Sequence, residues 1–165
     1  MRRLRATAVV LAVSLALVIS AAEQRPVFQI RKNGIQPNDP EWHCRNGILN
    51  TPPSPALSER PVLVSVCEDA ANTNQRTTLV IMIFDVDSRS DAILALSPLR
   101  HKKVAVGWSV KRFNLADEGY LGTYRDGSQF EIHFRRGLNV VKVSSNSLHL
   151  AKTVAGEVAS QLPVK

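Results

Sequence analysis

Three carboxylates, Asp85, Asp87 and Asp91, fall close together after an apolar run. At the end of a strand, residues two apart share a face, so Asp85 and Asp87 with Asp91 beside them form a candidate cation site. The calcium-loop template asks for an acid or amide at the fifth position, glycine at the sixth and glutamate at the twelfth. Counted from Asp85, those positions hold Arg89, Ser90 and Leu96, so the template fails. Ser88 followed three residues later by Asp91 is instead a capping-box pattern, which explains Asp87 and Asp91 by the start of a helix and needs no metal.

Gly107-Trp108-Ser109-Val110-Lys111 begins like a nucleophile elbow but has Lys111 where the closing glycine belongs. It also lies within a strand pattern with no helix after it, so Ser109 reads as a strand residue. His43, His101, His133 and His149 are scattered without metal-ligand spacing. His133 should point away from the core-facing Ile132 and Phe134, toward solvent. No catalytic residue and no cofactor follow from these patterns, and a small hydrolase is the third-ranked reading.

Two further groups bear on partners. Arg100, Lys102 and Lys103, with Lys111 and Arg112, form a candidate surface for an anionic partner, to which Arg135-Arg136 would add if the strands are neighbours. Such a surface suits anionic lipid head groups or acidic polysaccharide. Tyr120 and Tyr124 would line a shallow cleft on a sheet surface. Cys44 and Cys67 are the only cysteines and lack Cys-x-x-Cys spacing. In an oxidising compartment such a pair forms a structural disulfide, here closing a loop of 22 intervening residues, worth on the order of 3 kcal/mol.

The compartment follows from the amino terminus. Arg2, Arg3 and Arg5 precede an apolar or small run from Ala6 to Ile19, then Ser20-Ala21-Ala22. That order reads as a signal peptide, residues 1–22, cleaved after Ala22, and the run is near the lower length limit for a membrane anchor. The mature form would then not span a membrane, and the location is secreted or periplasmic in a bacterium. Without the three leader arginines, 18 of the 21 basic residues remain against 14 acids, so the net charge falls from +7 to +4. A charge this mild in an exported chain argues against nucleic acid as a partner and leaves an envelope protein or an anionic envelope component.

The elements that position these residues follow from periodicity. Residues 23–60 are rich in Pro, Gly and Asn turn chemistry and read as an irregular region, with a short strand possible through Val27, Phe28 and Ile30. Trp42, beside Cys44, should pack on the bridge. Residues 61–165 read as an α+β domain continuous with it. Val62–Cys67 is a β-branched strand, and the apolar run Leu79–Val86 reads as a strand buried on both faces. A short helix follows through Ala92, Leu94, Ala95, Leu96 and Leu99, disturbed by Pro98. Val104–Phe113 and Tyr120–Tyr124 alternate as strands, and Asp126-Gly127 is a hairpin turn. Phe130, Ile132 and Phe134 alternate with Glu131, His133 and Arg135, Gly137 turns the chain, and Val140, Val141 and Val143 mark the next strand. Ser145-Asn146-Ser147 caps a helix whose apolar stripe is Leu148, Ala151, Val154, Ala155, Val158 and Leu162, with Lys152, Glu157 and Gln161 facing away. From Leu79 the expected order is β-α-β-β-β-β-α, a mainly antiparallel sheet with two helices behind a disulfide-linked front.

Phe134-Arg135-Arg136-Gly137-Leu138-Asn139-Val140-Val141-Lys142-Val143, then Leu150-Ala151-Lys152-Thr153-Val154-Ala155 and Gln161-Leu162-Pro163, resembles the close of exported bacterial domains. Among these is the extracellular sensor domain of mycobacterial-type serine/threonine kinases. The quoted motifs cover about the last 30 residues. This chain differs from that family in lacking its further cysteines, its kinase domain and the transmembrane segment after it. The resemblance implies a bacterial, non-catalytic, cleft-bearing α+β module, a statement about fold more than function. The leading expectation is therefore a secreted or periplasmic binding or accessory module, and the alternative is an envelope interaction protein that uses the basic surface.

Overall fold

A computed structural model describes residues 27–49, 61–70, 77–96 and 106–164. The expected leader lies outside the described residues, as do Pro98 and Leu99. The elements run β1 (Phe28–Arg31), β2 (Gly34–Pro37), β3 (Trp42–Leu49), β4 (Val62–Asp69), β5 (Thr78–Asp85), α1 (89–96), β6 (Trp108–Arg112), β7 (Glu118–Tyr124), β8 (Phe130–Arg136), β9 (Asn139–Ser145) and α2 (Leu148–Gln161). From β5 onward this is the β-α-β-β-β-β-α order, and the fold class is α+β. Seven strands form one antiparallel sheet in the order β3-β4-β5-β9-β8-β7-β6, and β1 and β2 form a separate hairpin.

The sheet is built around β8 and β9. Arg136 pairs with Asn139 across Gly137-Leu138, and Gly137 takes φ 57°, the left-handed conformation that this tight turn requires. Alternation sends Phe130, Ile132 and Phe134 to one face with Val141 and Val143 opposite them. α2 covers that face. Ser147 stands at its N-cap, its Oγ accepting from Leu150 N at 3.3 Å, and Ala151, Val154, Ala155, Val158 and Ala159 are its buried residues. Three of those five are alanines, which lets the helix axis approach the strands closely. Ile132, Phe134, Val141 and Val143 are fully enclosed beneath it, and burial of each such side chain contributes roughly 2 kcal/mol.

The other face carries a smaller apolar cluster at one end, where Val62, Phe84 and Val140 meet Ala92, Ala95 and Leu96 of α1. Hence β5 is apolar on both sides: Leu79 and Ile81 belong to the α2 core and Phe84 to the α1 cluster. That accounts for its missing alternation. α1 begins with Ser88 as cap, its Oγ accepting from Asp91 N at 3.1 Å and donating to Asp91 Oδ2 at 2.6 Å.

The disulfide-linked front is more regular than its turn residues suggest. Cys44 and Cys67 are direct cross-strand partners and are joined. β3 was hidden in the sequence because five of its eight residues, from Arg45 on, form no buried face except through their partners. Asn46 is not in a turn. Its Oδ1 accepts from Ile35 N at 3.1 Å and its Nδ2 donates to Ile35 O at 3.2 Å, so one amide imitates a strand neighbour for β2. Ser65 Oγ donates to the same Oδ1 at 2.6 Å. Trp42 packs beside Cys44 and meets Phe28 edge-on, with ring centroids 5.4 Å apart.

α2 holds this front as well, and here the expected orientation of two residues is corrected. Glu157 is half-buried and Gln161 exposed, and both do more than meet solvent. The Glu157 carboxylate accepts from Val27 N at 3.0 Å and Phe28 N at 3.1 Å, and Gln161 accepts from Ile30 N and donates to Phe28 O, each at 2.9 Å. The reason is the free edge of β1, whose backbone groups need partners once Phe28 is buried. Glu157→Gln should therefore cost about 1–2 kcal/mol, because an amide presents a donor to a second donor. Chemical denaturation would read this, and an unchanged midpoint would mean that the clamp does not hold in solution.

Candidate functional site

The outward face of β8 presents Glu131, His133 and Arg135 in a row, opposite the face covered by α2. All three are buried, at 7%, 4% and 5% exposure. His133 therefore points away from the α2 core as expected but is not solvated: its Nε2 and Glu131 Oε2 share a hydrogen bond of 2.9 Å. Lys142 is the cross-strand partner of His133 on β9, and its Nζ lies 3.1 Å from Glu131 Oε1. One carboxylate is thus bridged on both oxygens, which offsets the cost of enclosing its charge.

Beside this group lies a hollow of about 190 Å³, lined in part by Thr78, Val80, Gln129, Glu131, Lys142 and Ser144. Its walls come from β5, β8 and β9, strands brought together only by the sheet. Ser144 is the direct partner of Glu131 and of Val80, so it sits on the floor between them. The Ser144 hydroxyl is enclosed and makes no hydrogen bond among the described residues. Across β7 the same face continues to Trp108 and Tyr124, whose ring centroids are 5.3 Å apart. Gly122 pairs with Glu131, and a methyl group added to Gly122 would stand 3.2 Å from the Trp108 ring, so the indole leans over that glycine toward β8.

At the other end of the row, Arg135 Nη1 donates to Asp117 Oδ2 at 3.1 Å and its Nε to Glu118 Oε2 at 3.3 Å. The Tyr120 hydroxyl donates to Glu118 Oε1 at 2.7 Å. The Tyr120 hydrogen bond acts most strongly on the Glu118 carboxyl; burial opposes it, and Arg135, with Arg112 adding at longer range, leaves the carboxyl below its ordinary value. A carboxylate lowered in the fold stabilises it above the unfolded-state pKa, and that stabilisation is lost as pH falls through the lowered folded value. The stability advantage of the parent over Glu118→Gln should accordingly be largest near neutrality and shrink below about pH 4. Urea titrations across that range read the gap, and a constant gap would exclude Glu118 as its source.

The residues picked from sequence are placed differently. Asp91 is tied to Ser88, and among the described residues no three His, Cys, Asp or Glu side chains are grouped to hold a metal. Ser109 is exposed in β6. Arg100, Lys102 and Lys103 lie outside the described residues. Lys111 and Arg112 are both exposed but, as neighbours on a strand, point to opposite faces, opposite Leu121 and Tyr120 respectively. Arg135 does not extend a basic surface, because it is buried against two carboxylates and β7 separates β8 from β6. Tyr120 and Tyr124 do share a face, as the cleft reading requires. Glu131, Lys142 and Ser144 were missed. The available signal was three titratable residues alternating with the core positions of β8, a run of polarity too costly to enclose without partners.

No helix among the described residues is long and apolar enough to cross a membrane. Comparison with protein-family models, with curated proteins and with solved structures finds no match.

Proposed function

We propose that this chain is a secreted or periplasmic binding or accessory module without catalytic activity, and that its ligand enters the hollow between Thr78, Glu131, Lys142 and Ser144. The observation that carries the reading is the charge arrangement there. Glu131 is bridged to both Lys142 and His133, so the ammonium beside Ser144 faces a carboxylate and is not poised to take the hydroxyl proton. With its charges already paired, such a site is suited to orient a ligand. The Cys44–Cys67 bridge, the leader-like amino terminus and the resemblance of the carboxyl half to exported cleft-bearing domains support the compartment.

Native mass spectrometry of protein exported from a bacterial host tests this reading. The expected species begins at Glu23, has Cys44 and Cys67 joined, and carries additional mass that denaturation removes. A chain that keeps Met1–Ala22 or has free thiols would overturn the export reading. Turnover of a common hydrolase substrate, abolished by Ser144→Ala or Ser109→Ala, would overturn the absence of catalysis.

A further inference from the structure

We infer that the ligand class of this site is a neutral carbohydrate chain, with one sugar unit held in the hollow and a neighbouring unit stacked on the Trp108–Tyr124 pair. This deepens the binding-module reading and rests on it. Three observations converge. The first is charge. The carboxylate and the ammonium that line the hollow are only 3.1 Å apart and already neutralise each other. A strongly ionic ligand would have to compete with that pair, whereas a polyol, whose hydroxyls both donate and accept, can bond to each charged group and leave the pair intact.

The second is the enclosed Ser144 hydroxyl, which finds no hydrogen bond among the described residues although it borders the hollow. A buried hydroxyl without a partner is costly, and a sugar hydroxyl supplies both a donor and an acceptor at that point. Thr78 and Gln129 add further polar groups to the rim, while Val80 supplies apolar wall for the C–H face of a pyranose ring.

The third is the aromatic pair on the same face. Tyr124 N donates to Gln129 O, which places the pair next to the wall of the hollow. Trp108 and Tyr124 are half-buried, and the only β7 position between the indole and Glu131 is Gly122, which carries no side chain to interrupt the groove. The electron-rich faces of the rings attract the polarised C–H bonds of a sugar and do not require ligand charge. Four strand spacings separate β6 from β5, roughly 19 Å, enough for a short oligosaccharide.

The test is calorimetric titration of the disulfide-bonded chain with N,N′,N″-triacetylchitotriose, cellotriose and maltotriose, at low and at high salt, with dextran sulfate and a mixture of free amino acids as the charged comparison. At least one neutral trisaccharide is expected to bind saturably, with affinity unchanged by salt. Trp108→Ala should weaken it at least tenfold and Ser144→Val severalfold. Trp108→Phe, which keeps a ring, should retain most of the affinity and so separates loss of stacking from loss of fold. Trp42 packs with the opposite core and gives an internal fluorescence control for folding. Absence of binding by all three trisaccharides, or binding that Trp108→Ala leaves unchanged, overturns the carbohydrate assignment. If dextran sulfate or an amino acid then binds and Lys142→Met abolishes it, the binding-module reading survives with a charged ligand. If no probe binds and the exported chain carries no extra mass, the module reading falls too.

Discussion

Gly34→Ala is expected to destabilise the protein by about 3–5 kcal/mol, a large effect for the addition of one methyl group. Gly34 has φ +140°, a conformation that side chains with a Cβ rarely adopt, at a cost of about 1–3 kcal/mol. A Cβ there would also fall 2.2 Å from Asn46 Cγ. Asn46 cannot yield freely, because its amide bonds the backbone of Ile35 on both sides and its Oδ1 accepts from Ser65. Ile35 N would keep Ser65 Oγ at 3.1 Å, but displacing Asn46 strips the partner from Ile35 O and the acceptor from the buried Ser65 hydroxyl, at about 1–3 kcal/mol for each one left unpaired. Gly47→Ala is the matched control, since nothing lies within 4 Å of its added methyl and its φ is ordinary. Urea midpoints of the two variants should differ widely at similar slope. A Gly34→Ala protein within about 1 kcal/mol of the parent would mean that the Asn46 bridge is not formed in solution.

The second large effect concerns the bridge. Replacing Cys44 and Cys67 together by alanine should lower stability by about 3 kcal/mol, chiefly because the unfolded chain regains the freedom of a loop of 22 intervening residues. The loss should be felt unevenly. β3 is an edge of the main sheet, tied by its ladder to β4, by the disulfide and by the Asn46 contacts, whereas β5, β8, β9 and α2 support one another without it. Hydrogen exchange should therefore accelerate first in β1, β2 and β3 and last in β9. Uniform acceleration would show that the front and the centre open as one unit. Combining the cysteine replacements with Gly34→Ala should give less than the sum, since both loosen the same corner.

The parts legible in the sequence are those where one face alone is buried. Phe130, Ile132 and Phe134 against Glu131, His133 and Arg135 fix β8 by alternation, Gly137 fixes the reversal, and the stripe from Leu148 to Leu162 fixes α2. β3 was illegible because its order comes from partners that no local pattern reveals, namely Cys67, Ser65 and Ile35. Glu157 and Gln161 looked like solvent-facing polar residues because the edge they serve is about 130 positions away. The site was hidden for the same reason. Polar residues alternating with a core row read as exposed, and only the sheet order shows that Glu131, Lys142 and Ser144 meet Thr78 from β5.

The α2 clamp on β1 also governs time. A polypeptide grows from its amino end, yet Val27, Phe28 and Ile30 receive their hydrogen-bond partners from Glu157 and Gln161, about 130 residues later in the chain. β5 likewise waits for β9. Contacts so distant along the chain slow folding and let the early segments remain unfinished while synthesis proceeds. The β1–β2 hairpin is thus made before α2 but is held in its seat only once α2 is present. Until α2 has formed, the amide groups of β1 lack the side-chain partners that close this edge of the fold.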